Sequence, residues 1–301
     1  MRSAAILASL ALFAATPVMA QADKKAPPPP TTCTDLAASL DFIEATAETK
    51  IEDVARGCSV SNFYVGYGPY NRYRIAALTI QSPNLFADYA EEFFPAELDL
   101  NISGLQIAPD TGSLLQNYII EMQSEPMDIH LAYRWDKESG ELDIADLSVS
   151  TNYGAGVRLA ARISGLDVDP TKLDDLTEVP GAFEHLVLEI EDARFLSAFA
   201  APALVGMLPY DEDPRPMIKS QQEAATTFID SLPEANVSQD SKAALATFVQ
   251  AFPRASGDYT MELRADPGLE FKSLEVDDFA ALLPLLARLQ LAVTHTPVEQ
   301  P

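Results

Sequence analysis

Positive charge is scarce in this chain. Its 301 residues carry 20 Lys and Arg against 45 Asp and Glu, for a net charge of −25. Nucleic acid binding is excluded by that balance, because phosphates demand basic patches. Charge-driven adhesion to anionic lipid is excluded on the same ground. Histidine is rarer still: His130, His185 and His295 are the only three, and none lies within four residues of another. Paired-histidine metal motifs such as H-E-x-x-H are therefore missing, and no metal site or cofactor is expected. Neither G-x-S-x-G nor a full S-x-x-K set occurs, so the serine nucleophile signatures are absent. Gly66-Tyr67-Gly68 is a lone G-x-G without the further glycine of a dinucleotide loop, and no G-x-x-x-x-G-K exists. Acidic clusters are plentiful, but Asp211-Glu212-Asp213 sits among prolines without the ordered oxygen spacing that calcium needs. No catalytic residue is assigned, and binding is favoured over catalysis. A hydrolase built on dispersed carboxylates stays as the alternative, since the separation that matters there is spatial.

Long apolar runs are also lacking beyond the first twenty residues. The two longest candidates, 195–208 and 279–293, fall short of the about 18 residues of a transmembrane helix and carry Pro202, Pro284 and Arg288. Both read as buried core. What the chain does have is an informative start: Arg2, an uncharged apolar run over residues 4–15, Pro17, and the small-residue site Val18-Met19-Ala20. That pattern is a secretory signal peptide cleaved after Ala20, which addresses the protein to the periplasm. A proline-rich leader follows over 21–32, and its four-proline run favours extended polyproline II.

Export bears on the two cysteines, Cys33 and Cys58, because an even pair in an oxidising compartment is usually bridged. Between them Leu36, Leu40, Ile43, Ala47, Ile51 and Val54 recur at helical steps. A straight helix over 35–56 would be about 33 Å long, whereas a disulfide needs Cα atoms within about 7 Å. Either the helix breaks near Thr46–Thr49 and the bridge forms, or the thiols stay apart on one long helix. The exported address favours the bridge.

Further along, 59–80 reads as a hairpin about Gly68-Pro69, crowded with Tyr64, Tyr67, Tyr70 and Tyr73. These four tyrosines are the candidate binding surface, with cross-strand aromatic pairing as the structural reading. Short helices are expected at 83–94, 112–123, 217–231, 240–252 and 277–287. Strands are expected at 127–135, 141–151, 157–168, 183–192, 259–265, 271–276 and 289–295. A repeated phrase stands out: Leu98, Ile102, Ser103, Gly104, Leu105, Ile107 and Pro109 match Leu159, Ile163, Ser164, Gly165, Leu166, Val168 and Pro170 at a constant offset of 61. Alternation into glycine and on to a proline stop suggests a strand with a glycine kink in each copy.

The expected fold is α+β: an antiparallel sheet, flat or curved, with helices packed on one face and two repeat-like halves. The expected division is a signal peptide over 1–20, a leader over 21–32, an N-terminal α+β half over 33–170, and a C-terminal half over 171–301 within the same domain or as a second one. The signal peptide, the repeated I-S-G-L phrases and the line ELDIADLSVSTNYGAGVRLAARISGL resemble exported envelope proteins of Gram-negative bacteria. The strand repeats are similar to those of AsmA-type envelope proteins. That resemblance covers about a third of the chain, carries no functional residues, and implies an association with lipid movement. The expected partners are a lipid or another envelope protein, bound without catalysis. A structural assembly factor is the remaining option.

Overall fold

The structure is a computed structural model. It describes residues 29–40, 42–66, 68, 71–90, 94–168, 179–206, 208, 213–274, 285 and 288–298. The expected signal peptide, most of the leader, the 169–178 segment and nearly all of the expected 277–287 helix lie outside these residues.

Ten strands form one antiparallel sheet in which each pairs only with its neighbours in the chain. They are β1 (Ile43–Val54), β2 (Gly57–Gly66), β3 (Arg72–Gln81), β4 (Glu97–Ile107), β5 (Met127–Asp136), β6 (Glu141–Thr151), β7 (Gly156–Ser164), β8 (Ala182–Glu191), β9 (Asp258–Glu270) and β10 (Leu289–Thr296). Among the described residues, helix α1 (Cys33–Ser39) precedes this meander and α2 (Leu85–Ala90), α3 (Leu114–Gln123), α4 (Arg194–Val205), α5 (Pro214–Ser231) and α6 (Gln239–Ala251) interrupt it. The expected strand at 271–276 is replaced by a longer β9 and a 3-10 turn at Phe271–Leu274. β7 and β8, which flank the expected boundary at 170/171, pair along the length of β7.

The expected α+β layering is corrected. Strands dominate, and among the described residues no layer of helices covers a face. α1 packs beside β1 and β2, α6 lies along β10, and α3 touches β4 at one end. The reason lies in the strand sequences. Alternating apolar residues over about ten positions in ten successive segments satisfy the backbone through nearest-neighbour ladders. Short turns make four of the nine connections, at β1–β2, β2–β3, β5–β6 and β6–β7.

The expected 35–56 helix is also corrected. Only Cys33–Ser39 is helical, started by the Thr32 side chain, which accepts from Asp35 N. The chain then reverses into β1, which pairs with β2. Cys33 and Cys58 are bridged, with Cα atoms 5.4 Å apart. The helical spacing misleads because β1 is two short strands offset by a bulge. Ala45 opposes Phe63 but Lys50 opposes Ser61, so Thr46–Thr49 loops out. There the Thr46 and Thr49 hydroxyls both donate to Asn62 O, at 3.2 and 2.7 Å. The helix does not break at Thr46–Thr49 as expected: it ends at Ser39, and Thr46–Thr49 is a bulge within β1.

That bulge begins a line of irregularity across the first four strands. Asn62 has φ 54° and Gly104 has φ 65°. The buried set of β2 passes there from Cys58 and Val60 to Phe63 and Val65, and that of β4 from Ile102 to Leu105. Val60, Phe63, Val65, Ile75, Ile102 and Leu105 join one cluster on both sides of the kink. A strand that kinked alone would turn its apolar residues to the opposite face. Gly104 also lies against β3: a Cβ there would stand 2.8 Å from Ala76 Cβ. Gly165, its counterpart in the repeated phrase, has φ 63° with open space around it. The repeat thus preserves a left-handed glycine, at a mid-strand kink in β4 and just past the end of β7.

Both sheet edges are managed. β1 exposes Glu44, Glu48, Lys50, Glu52 and Asp53, and charges on an edge discourage pairing with other chains. The free edge of β10 is occupied from within: Leu291 N donates to Asn236 O, Val293 N to Ser241 Oγ, and Asn236 Nδ2 to Leu289 O.

The bridge closes a 25-residue separation, for which chain entropy gives about 3 kcal/mol. Cys58→Ser is expected to lower unfolding free energy by about that amount in urea melts. Reduction of the wild type should reproduce the loss. Gly104→Ala combines a left-handed φ with a close approach, so it should cost about 2 kcal/mol or more, against about 1 kcal/mol for Gly165→Ala. Equal effects at the two positions would refute this account of the kink.

Candidate binding face

Register places the apolar residues of the sheet in continuous rungs across the strands. The central rung is Leu100, Leu131, Leu147, Leu159, Leu188 and Met261, each paired with the next from β4 to β9. Ile80 extends it on one side and Val293 on the other. A second rung is Ile102, Ile129, Val149, Val157, Ile190 and Tyr259. A third is Leu98, Tyr133, Ile144, Ala161, Leu186 and Leu263. Register is kept through further bulges, such as the extra Ala145 in β6 and Glu184 in β8.

Coverage of this face is uneven. At the β1–β3 margin Leu36 and Cys33 of α1 pack with Cys58 and Leu85, and Ile51 and Ile80 lie against them. At the β8–β9 margin Leu196 of α4 and Phe248 of α6 pack against the Ile190, Ala193, Ala255 and Tyr259 cluster. The Phe248 ring meets that of Tyr259 edge-on at 5.2 Å. Leu188 of the central rung packs against that cluster too, and Leu100 packs against the Val60–Leu105 cluster; Leu131, Leu147 and Leu159 lie between, and all six residues of the central rung are half-buried. Surface hollows of 380 to 480 Å³ lie elsewhere, and none is lined by Leu131, Leu147 or Leu159. Among the described residues the site is a half-exposed apolar strip.

The opposite face is polar. His130 of β5 lies between Asp99 of β4 and Asp146 of β6, at 3.2 Å from each. Arg158 of β7 reaches Asp146 at 3.1 Å. His185 contacts Glu262 at 2.9 Å; the third histidine, His295, lies on the apolar side, where it opposes Tyr259 and stacks on it with ring centroids 4.4 Å apart. All three histidines are thus engaged in contacts along strands. Carboxyls with displaced titration are held below their ordinary range. The Arg194 side chain does this for Asp192 and the Arg215 side chain for Asp213. Arg264, then His185, does it for Glu262, and backbone N–H groups of Glu138 and Ser139 do it for Asp136. A general acid needs a carboxyl raised, not lowered. Among the described residues, Cys33, Asp53 and Cys58 form the one cluster close enough to hold a metal. Its sulfurs are consumed by the disulfide, and Asp53 Oδ1 accepts from Cys33 N.

The four tyrosines singled out in the sequence divide. Tyr67 and Tyr70 lie outside the described residues. Tyr64 opposes Arg74 while Tyr73 opposes Val65, which sets Tyr64 and Tyr73 on opposite faces of the hairpin. Arg72 stacks over the Tyr64 ring at 3.7 Å from its centroid, and Tyr73 is exposed. The tyrosine cluster was the sequence signal, but the rungs are the larger feature. They were hidden because each strand contributes only one residue to each rung, and strand order cannot be read from the chain.

No protein-family model matches this chain, and no curated protein is similar to it. Among the described residues no helix is long and apolar enough to cross a membrane.

Tyr133 reports on the dryness of the third rung. Burial, and secondarily the charge of Asp88, pushes its hydroxyl up to about 12. The folded state therefore keeps a proton that the unfolded chain releases near pH 10. Stability is lost as pH rises from about 10 toward about 12. In alkaline urea melts Tyr133→Phe should remove that part of the loss, with both proteins showing the same slope below pH 9 or so.

Proposed function

We propose that this chain is an exported, non-catalytic binding protein of the periplasm that holds an apolar ligand along the three rungs of its sheet. The observation that carries the reading is the half-buried central rung from Leu100 to Met261, which no layer of helices covers among the described residues. Five strand spacings make it about 24 Å long, a length that suits an extended acyl chain. Apolar surface of this continuity is otherwise covered in a folded protein. The Cys33–Cys58 bridge accords with export, as does the signal-peptide pattern ending at Ala20. The similarity of the strand repeats to AsmA-type envelope proteins points toward lipid. The lowered carboxyls give the hydrolase alternative no support.

The protein should be purified from a periplasmic extract and its bound material identified by native mass spectrometry and solvent extraction. An acyl-containing or comparably apolar molecule is expected. Leu147→Glu places a charge at the middle of the central rung and should weaken binding of a fluorescent fatty-acid probe at least tenfold, since burying an unpaired charge is costly. The variant's fold is checked by its urea melt. An empty wild type that also ignores the probe would overturn the reading.

A further inference from the structure

Helix α3 is amphipathic in the reverse sense from an ordinary surface helix. Its apolar residues Leu114, Leu115, Tyr118, Ile119 and Met122 share one stripe at helical spacing. That stripe points outward: Leu114 is 90% exposed, Leu115 and Met122 68%, and Tyr118 60%. The polar side holds the helix to the sheet. Asn117 Oδ1 accepts from Thr111 N and Thr111 Oγ1 at 3.0 and 2.7 Å. Gln106 Nε2 donates to Glu121 O and Ser124 O at 2.7 and 2.8 Å. Glu121, the one charged residue of the helix, turns toward Arg74 at 3.6 Å. Ser113 caps the start, its hydroxyl accepting from Gln116 N. The helix is thus fastened by its polar face with its apolar face turned away from the protein.

Its surroundings match it. α3 joins β4 to β5 at the same end of the sheet as the β2–β3 and β6–β7 turns. Tyr73, Ile107 and Tyr153 are exposed at that end, whereas among the described residues Tyr89 is the large apolar side chain exposed at the other. This is an apolar rim edged with tyrosines, the amphipathic ring type that settles at a membrane–water interface.

We infer that α3 and this rim form a docking surface for a lipid bilayer, into which the outward stripe inserts to the depth of the headgroup–acyl boundary. Two observations select lipid over a second copy of the chain. Five side chains on a helix about 15 Å long fall well short of the 20 to 30 residues, roughly, that each side of a stable protein interface supplies. Two copies of a chain with net charge −25 also repel each other. The stripe itself carries no charge, and Glu121 is withdrawn into its contact with Arg74. Docking therefore works by apolar insertion and needs no anionic lipid. The inference does not rest on ligand binding along the rungs, because α3 stands outside them.

The test is co-sedimentation of the full protein with vesicles of phosphatidylcholine alone, at low and high salt. Binding is expected at both salts to a similar extent, since insertion without charge is not screened. Leu114→Ser/Met122→Ser exchanges two outward residues that pack against little, so the fold should hold, checked by its urea melt. Partition should fall at least tenfold. Tyr89→Ser, at the other end of the sheet, should leave partition unchanged. The inference is overturned if wild type stays in the supernatant, if binding requires anionic lipid and disappears at high salt, or if the double variant binds as well as wild type. A dimer in analytical ultracentrifugation that the double variant dissolves, without vesicle binding, would likewise overturn it in favour of self-association. Vesicle binding by Leu147→Glu with its fatty-acid probe lost would separate this inference from the ligand reading.

Discussion

Each strand of this sheet holds its place by landing its apolar residues on the same face as its neighbour's. Side chains alternate with a period of two, so a slip of one residue would send a whole strand's apolar set to the polar face. In a meander of ten strands paired only with chain neighbours, an uncorrected slip in β2 would be inherited by every strand after it. The irregularities of this sheet are therefore matched between neighbours. The Thr46–Thr49 bulge, Asn62 and Gly104 lie in register, and the cluster from Val60 to Leu105 passes through them. The Cys33–Cys58 bridge ties α1 to β2 at the first of these strands. It limits how far the sheet's starting edge can slide.

Much of this local order is legible in the residues. The β2–β3 hairpin, the strands at β5 to β8 and the bridge are readable because alternation, turn chemistry and export act over short spans of chain. The 35–56 segment was misread for an equally local reason. Ile43, Ala47, Ile51 and Val54 keep helical spacing only because a three-residue bulge separates two short strand phases. Spacing alone cannot distinguish that from a helix. The β-branched residues Ile43, Thr46, Thr49, Ile51 and Val54 carried the better signal, since they favour pleated surfaces.

What escaped the sequence depends on which elements become neighbours. The missing helical layer is the clearest case. Several segments do form helices, α5 and α6 among them, but their amphipathic faces do not state what they cover. α6 lies along the edge of β10 and α1 over the opening strands, so both act at margins. The direction of α3 is a second case. The run LLQNYIIEMQ specifies a helix with one apolar stripe, and a core-facing stripe is the ordinary assumption. Polar contacts decide otherwise: Gln106 of β4 donates to Glu121 O, Glu121 pairs with Arg74 of β3, and Asn117 accepts from Thr111 in the loop before the helix.

The placement of the helices also explains how so much apolar face can remain half-covered without pairing chain to chain. Aggregation through a sheet needs either a free edge or a bare flat face. Here β1 is charged and bulged, and β10 is occupied by Asn236 and Ser241. Edge-to-edge growth is blocked at both ends, which leaves the face as the only route. Face-to-face stacking would bring together two copies that each carry a net charge of −25. Long-range repulsion of that kind opposes association of like chains. A small apolar molecule or a neutral lipid surface is not subject to it. On the proposed reading, the same acidity that opposes self-association does not oppose uncharged apolar partners at the rungs and α3. The sheet margins, where helices are spent, are the places where repulsion alone would not have prevented strand pairing.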